Sequence, residues 1–395
     1  MPTSLLEPLP SLSSAAPVPP LPVPTPARLR AELPLSREAA ARVARHRAEV
    51  IELVQGASQR LLCIVGPCSI HDRQAAFEYA ERLAPLAQRY SDDLLVAMRV
   101  YLEKPRSGVG WKGLISDPRL DGSCDVAHGL ALGREIVVGV AERGLPVASE
   151  LLDGNLSLYF CDAVSWAAIG ARTTESQPHR ELASSLPFPV GFKNGTDGRV
   201  EGALGGIISA AQPHRRLAPG DDGLLHVLSS TGNPHCHITL RGGEAGPNYD
   251  AASVAAASEA AGRAGRVRRV LVDCSHGNSR KNHENQPLVS AEVAGQVAGG
   301  ARNLLGVMIE SHLVAGRQAL VLGAAGLRYG QSITDGCVDL ARSEQMLDEL
   351  ARAVRAARGA ANAEKEPHNP DISGRRSSDH GLGAGASVLN EQQRL

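Results

Sequence analysis

The sequence predicts an α/β fold, a closed (β/α)8 (TIM) barrel, and three observations carry that expectation. Short apolar runs of strand length alternate with Ala-rich, amphipathic stretches of helix length. The strand runs are apolar without alternation, as strands covered on both faces of a parallel sheet are. Eight such units fit the central part of the 395-residue chain, which is the count of a closed barrel. Periodicity by itself leaves a doubly wound open sheet as the alternative.

The elements follow in order. Strands are expected at 61–65, 94–100, 145–149, 163–169, 190–192, 237–240, 269–272 and 305–309. Helical stretches between them include 73–88, 124–142, 251–263 and 291–299. Upstream, 31–58 carries Leu, Val and Ile at helical spacing among Arg and Glu. It reads as an N-terminal helical extension that either caps the barrel bottom or builds a subunit interface. Residues 1–29 form a Pro-rich arm, with Glu7 the one charged side chain before position 27, and are expected to be disordered. Residues 359–395 are Gly, Ser, Asn and charge with little to bury, and are expected to be a disordered tail. The barrel domain is thus 30–358.

Composition excludes several classes. Forty-one Lys and Arg balance forty-two Asp and Glu, so nothing in bulk charge favours nucleic acid or an anionic membrane. No apolar run approaches the ~20 residues of a membrane helix, and the start lacks the pattern of a signal peptide. Seven Cys without a CxxC pair argue against a disulfide framework. The expectation is a soluble, cytoplasmic protein.

The informative residues sit where the strands stop. Cys68 follows the first, Arg99 and Lys104 the second, Arg172 the fourth, Lys193 the fifth, Arg241 the sixth, His276 the seventh and Glu310 the eighth. A barrel gathers all its strand C-termini on one rim, where enzymes of this fold keep their active sites. Random loops would not supply a charge, thiol or imidazole at nearly every strand end. The rim residues form two sets. Arg99, Lys104, Arg106, Arg172, Lys193 and Arg241 are cations that would repel in one pocket unless anions, phosphate or carboxylate, occupied it. Cys68, His276, Glu310 and Asp335 offer a thiolate, an imidazole and two carboxylates, a donor set suited to Mn, Fe, Co or Zn. Their long separations give the spacing almost no specificity, and a lone buried Cys is more often a packing residue. That packing role is expected for Cys63, Cys124, Cys161, Cys236, Cys274 and Cys337. His71 and His312 are weaker candidates for supporting a metal ligand or touching phosphate.

Local strings then narrow the reading. Gly-Pro-Cys-Ser-Ile-His-Asp at 66–72, Arg-Val-Tyr-Leu-Glu-Lys-Pro-Arg-Ser at 99–107, Gly-Trp-Lys-Gly-Leu at 110–114 and Gly-Ala-Arg-Thr-Thr-Glu-Ser-Gln at 170–177 are distinctive. So are Gly-Phe-Lys-Asn-Gly-Thr-Asp-Gly at 191–198, Leu-Arg-Gly-Gly at 240–243, Asp-Cys-Ser-His-Gly-Asn-Ser at 273–279, Val-Met-Ile-Glu-Ser-His-Leu at 307–313 and Ser-Ile-Thr-Asp at 332–335. Together they resemble the class I 3-deoxy-D-arabino-heptulosonate 7-phosphate (DAHP) synthases, from about Thr25 to Arg358. The resemblance implies a (β/α)8 barrel with an N-terminal helical extension and an extra β-hairpin near the sixth strand.

It also implies a transferase that condenses phosphoenolpyruvate with erythrose 4-phosphate and releases phosphate, the first step of the shikimate pathway toward chorismate and aromatic amino acids. A homodimer or homotetramer is implied too. By matching motif, Cys68, His276, Glu310 and Asp335 would hold the divalent ion. Arg99, Lys104, Arg172, Lys193 and Arg241 would hold phosphoenolpyruvate, while Arg106 and Ser107 would take the sugar phosphate. The ion would polarise the aldehyde, the enol carbon would attack it, and water would add at C2 before phosphate leaves. Lys104 is the expected proton donor; with Cys68 and His276 it makes up the catalytic set. An aminoDAHP synthase or a related 3-deoxy-ulosonate phosphate synthase is the alternative, and a non-catalytic metabolite-binding barrel would require a damaged site.

Departures from the family pattern bear on regulation. Members that bind Phe or Tyr as feedback inhibitors usually carry Pro-Gln-Tyr where this chain has Ser157, Leu158 and Tyr159, and Ser where it has Pro187. Pro removes a hydroxyl and a backbone N–H, so weak or absent inhibition by Phe and Tyr is expected.

Overall fold

The computed structural model describes residues 20–106, 108, 110–320 and 326–363. Two helices, α1 (Pro26–Glu32) and α2 (Arg37–Gln55), precede the barrel. Then come β1 (Leu61–Gly66), α3 (Arg73–Arg89), β2 (Leu94–Arg99), α4 (Val126–Glu142), β3 (Val147–Glu150) and the one-turn α5 (Ser157–Phe160). After these lie β4 (Trp166–Ile169), α6 (Gln177–Ser185), β5 (Val190–Lys193) and α7 (Glu201–Ala210). An antiparallel hairpin, β6 (Arg215–Pro219) and β7 (Leu225–Ser229), interrupts the repeat. The repeat resumes with β8 (His237–Leu240), α8 (Ala251–Arg263), β9 (Val270–Asp273), α9 (Gln286–Ala298) and β10 (Leu304–His312). Short strands β11 (Val314–Arg317), β12 (Gln331–Ser332) and β13 (Val338–Asp339) lead into α10 (Leu340–Ala363).

The order β1-β2-β3-β4-β5-β8-β9-β10 is parallel throughout, and β1 pairs with β10. That pairing closes the sheet and disposes of the open-sheet alternative. The seam depends on Gly306. It sits opposite Leu62 at φ +153°, and a Cβ there would fall 1.8 Å from the Leu62 carbonyl oxygen. A side chain at this point would hold the two strands apart.

Strand parity divides the core in two. Leu62, Ile64, Leu95, Ala97, Ala148, Trp166, Ala168, Leu271, Leu305 and Met308 form one buried cluster inside the barrel. Their strand neighbours, such as Cys63, Val65, Val96, Ile169, Val190, Ile238 and Val272, pack outward in the layer shared with the helices. Both faces are therefore apolar, which is why these strands show no alternation in sequence.

Val50, Leu53 and Val54 of α2 belong to the interior cluster, so the C-terminal end of α2 plugs the barrel from below. Of the two roles expected for 31–58, the cap is the one that this packing gives it. Ser36 caps α2 through the Ala39 N–H, and its own N–H donates to Glu142 Oε1 at 2.8 Å, which ties the extension to the end of α4. The buried Arg134 guanidinium donates to the Leu33 and Tyr159 carbonyls and pairs with Asp162 through two bonds of 2.8 and 2.9 Å.

Some boundaries are corrected. The arm expected to be disordered through residue 29 already contains the start of α1. Thr25 accepts from the Arg28 N–H, Pro26 opens the helix, where its missing N–H costs nothing, and Leu29 is buried. The tail expected from 359 begins later, because α10 continues through Ala363. Residues 1–19 and 364–395 lie outside the described residues. The helix expected at 291–299 begins at Gln286, with Pro287 in its first turn. The packing expectation holds for Cys63, Cys236, Cys274 and Cys337, which are buried, whereas Cys161 is half-buried and Cys124 exposed.

Candidate active site

The site is the next rung of the barrel interior. Arg99, Glu150, Gly170, Asp273 and Glu310 each lie two residues beyond a residue of the interior cluster, and Lys193 and Arg241 two beyond Gly191 and Thr239, which face each other and Trp166. All except the fully buried Asp273 line one cavity of about 530 Å³ at the C-terminal mouth. Apolar rungs below and a polar rung on top follow from parity: a side chain at the strand end still points inward but meets the mouth rather than the plugged core.

The floor is built from buried ion pairs. Arg99 Nη2 lies 2.9 Å from Glu310 Oε1, and both side chains are almost wholly buried. The Arg99 guanidinium also donates to the Pro67 and Cys68 carbonyls and stacks 3.5 Å from the centre of the Tyr101 ring. Burial alone would lower its pKa, but Tyr101 and Glu310 raise it above the ordinary value. Lys193 Nζ lies 3.1 Å from Asp273 Oδ2. Asp273 is buried, which by itself favours the acid form, yet His276 and Lys193 hold its carboxyl well below the usual range.

On one wall, ligand atoms of Cys68, Glu310 and Asp335 lie within 4.8 Å of one another. His276 stands next to them, its Nε2 3.8 Å from Glu310 Oε1. Its Nδ1 is 3.0 Å from Asp273 Oδ2 and 2.6 Å from Ser275 Oγ. Lys104 Nζ contacts the same wall, 2.7 Å from Cys68 Sγ and 2.8 Å from Asp335 Oδ2. Burial would lower the Lys104 pKa, but Cys68, Glu310 and Asp335 raise it. The Cys68 thiol is pushed up to about 11 by burial and Glu310, with Lys104 opposing.

Arg172, Arg241 and Arg106 line the remaining walls with Thr173 and Thr196. Arg241 is lowered by burial and by the neighbouring charge of Arg172, as expected where cations converge. Its backbone N–H is fixed by Asn194 Oδ1 at 2.8 Å. Arg106 Nε donates to the Trp111 carbonyl at 2.9 Å. Ser107 lies outside the described residues. His71 and His312 do not line this cavity. They are buried against each other edge to face, with ring centres 6.1 Å apart, and Tyr79 packs against His312 in the same way. Burial lowers His312 to about 3 and keeps it neutral.

Four further titratable side chains of the lining escaped the sequence reading: Glu150, Lys281, His283 and Arg317. The buried Asp273 escaped it too. Glu150 and Asp273 are the last residues of β3 and β9, one position past the apolar runs expected there. Reading each strand one residue further would have found them. Lys281 and His283 lie in the turns after β9, and Arg317 ends β11, a short strand outside the barrel sheet, so no barrel-strand pattern points to them.

The sequence profile of the DAHP synthetase I family matches residues 33–348. A phospho-2-dehydro-3-deoxyheptonate aldolase of Corynebacterium glutamicum is 47% identical over 345 residues, covering 86% of this chain and 93% of that protein. The Tyr-sensitive phospho-2-dehydro-3-deoxyheptonate aldolase of Escherichia coli is 47% identical over 330 residues, covering 84% and 91%. The solved structure of the Francisella tularensis phospho-2-dehydro-3-deoxyheptonate aldolase superposes with a TM-score of 0.84 at 41% identity, covering 86% of this chain and 99% of that one.

Proposed function

The chain belongs to the DAHP synthetase I family, and from that premise we propose how its own side chains divide the work of the reaction. The activity is that of a DAHP synthase, the transferase that condenses phosphoenolpyruvate with erythrose 4-phosphate at the entry to the shikimate pathway. The observation that carries the residue assignment is a single barrel mouth with a thiol–imidazole–carboxylate wall facing a wall of cations.

The donor set suits a divalent ion. Cys68, Glu310 and Asp335 converge, and Asp273 occupies His276 Nδ1, which leaves Nε2 as the ligand nitrogen on the Glu310 side. A carboxylate on the far ring nitrogen is the usual support of a metal-bound histidine. Mn, Fe, Co and Zn all accept such ligands. When bound, the ion supplies Lewis acidity toward a substrate oxygen.

Lys193, Arg241, Arg172 and Arg99 hold the phosphate and carboxylate of phosphoenolpyruvate, and Arg106 with Ser107 holds the sugar phosphate. Holding two anions side by side is the main task of these cations, because in water the two repel. C3 of phosphoenolpyruvate then forms a bond to the aldehyde carbon. The carbonyl oxygen takes a proton from the Lys104 ammonium, which its anionic neighbours keep charged. Water adds at C2 and loses one proton, which restores the Lys104 ammonium. The C2–O bond to phosphate then breaks, and the new hydroxyl passes its proton to the departing phosphate as the C2 ketone forms.

A homodimer or homotetramer is supported by Leu217, Leu225 and Val227, which the hairpin β6–β7 leaves exposed. The test of the whole reading is phosphate release with both substrates present. Release should stop on chelation and return with added Mn. Release that ignores the chelator would reject the metal assignment.

A further inference from the structure

Three of the cations in the cavity are matched by protein anions: Arg99 by Glu310, Lys193 by Asp273, and Lys104 by Asp335. Toward the rim the pattern changes. Arg106 spends its Nε on the Trp111 carbonyl, and among the described residues its two terminal nitrogens have no partner. Lys281 and Arg317 line the same cavity, and among the described residues neither side chain has an ion pair or hydrogen bond. Three cations from three separate elements thus share one opening with no carboxylate assigned to them.

Lys281 is also held in an uncommon backbone state. His276, Arg280 and Lys281 have φ of +57°, +54° and +61°, and the Lys281 N–H closes the turn on the His276 carbonyl at 2.7 Å. Left-handed non-Gly residues are costly and persist where the surrounding structure enforces them, commonly at functional sites. This turn places a metal-ligand candidate and a rim cation on the same short segment.

From these observations we infer that Lys281 and Arg317 complete, with Arg106, the seat for the phosphate of the acceptor aldehyde and so select a phosphorylated sugar. A phosphate dianion is poorly matched by one guanidinium. Two forks and an ammonium approaching from different sides suit its oxygens far better. The inference rests on the assignment of Arg106 to the sugar side and extends it to two residues outside the strand-end set.

The test uses the full-length, metal-loaded enzyme with Lys281→Gln and Arg317→Gln, both at exposed side chains, and Arg106→Ala as the reference. KM for erythrose 4-phosphate should rise on the order of tenfold in each Gln variant, while KM for phosphoenolpyruvate and metal content stay unchanged. Unphosphorylated erythrose, supplied as acceptor, should be used equally poorly by wild type and variants. Inorganic phosphate should compete with the sugar phosphate less well in the variants. An unchanged sugar KM in both Gln variants, or a rise confined to phosphoenolpyruvate, would overturn the inference while leaving the enzyme assignment standing. An unchanged sugar KM in Arg106→Ala would instead show that the underlying subsite assignment is wrong.

Discussion

Asp273 Oδ2 lies 3.0 Å from His276 Nδ1, and the same oxygen lies 3.1 Å from Lys193 Nζ. One buried carboxylate therefore orients an imidazole on the metal wall and neutralises a cation on the substrate wall. The Ser275 N–H and hydroxyl hold its other oxygen at 3.0 and 2.7 Å. Its two halves of the site are thus set by one side chain.

Asp273→Asn should damage both halves. An amide nitrogen can face Nδ1 as a donor and favour the wrong tautomer, and Lys193 loses its counter-charge. Metal affinity should fall roughly 10–100-fold, and KM for phosphoenolpyruvate should rise. Metal content after dialysis, read with the two Michaelis constants, checks this. Loss of phosphoenolpyruvate binding with full metal content would mean that Asp273 serves Lys193 alone.

Cys68→Ala should abolish turnover while leaving the fold intact. Cys68 is fully buried, but the change removes a single sulfur at the cavity wall, and losing one ligand of a mixed site costs orders of magnitude in activity or metal affinity. Circular dichroism and elemental analysis of the variant test the two halves of the statement. Wild-type turnover with normal metal content would refute the ligand role.

Lys193→Ala and Arg241→Ala should raise KM for phosphoenolpyruvate far more than KM for the sugar phosphate. Truncating a desolvated charged partner is worth roughly 2–5 kcal/mol. Arg106→Ala should show the reverse. Initial-rate kinetics with each substrate varied in turn decides it, and equal effects from all three would argue against separate subsites.

Glu103 gives a pH prediction. Burial raises its carboxyl from 4.5 to about 7, opposed by the Asp153 and Leu152 N–H groups that donate to it. A carboxyl raised in the folded state contributes stability that is full below its unfolded pKa and disappears as pH climbs through the folded value. Native stability relative to Glu103→Gln should therefore decline between about pH 4.5 and pH 7 and level off above, by at most about 3 kcal/mol. Denaturant melts of both proteins at pH 5 and pH 8 measure the difference. A constant difference across that window would show that Glu103 titrates normally.

Inhibition by Phe or Tyr should be weak or absent, although the chain is 47% identical to a Tyr-sensitive enzyme. Leu158 lies in the one-turn α5, and its carbonyl accepts a 2.6 Å bond from Arg30 of α1. The Leu158 and Pro187 side chains offer no hydrogen-bonding group to a zwitterion where inhibitor-binding members usually carry Gln and Ser. Titrating the enzyme with each aromatic amino acid tests this, and half-inhibition at micromolar Phe or Tyr would contradict it.

The sequence by itself determined the alternation of doubly covered parallel strands with helices, because each segment carries that pattern alone, and its local strings pointed to the barrel family; the closure itself, β1 against β10, is a tertiary fact. It also supplied the strand-end cations, since parity and position along one strand are local too. Reading each strand only as far as its apolar run left out Glu150 and Asp273, the polar residues that end β3 and β9. Only the tertiary structure decided which groups meet. Lys104 and Asp335 are 231 positions apart, and Arg99 and Glu310 are 211 apart. Their pairing depends on β1 closing against β10 at Gly306, a contact between distant strands that no local pattern encodes. The same closure plugs the barrel with α2 and brings Lys281 and Arg317, to which no barrel-strand pattern points, to the mouth. Charge pairing is a property of distance in space, and in this chain the barrel sets those distances.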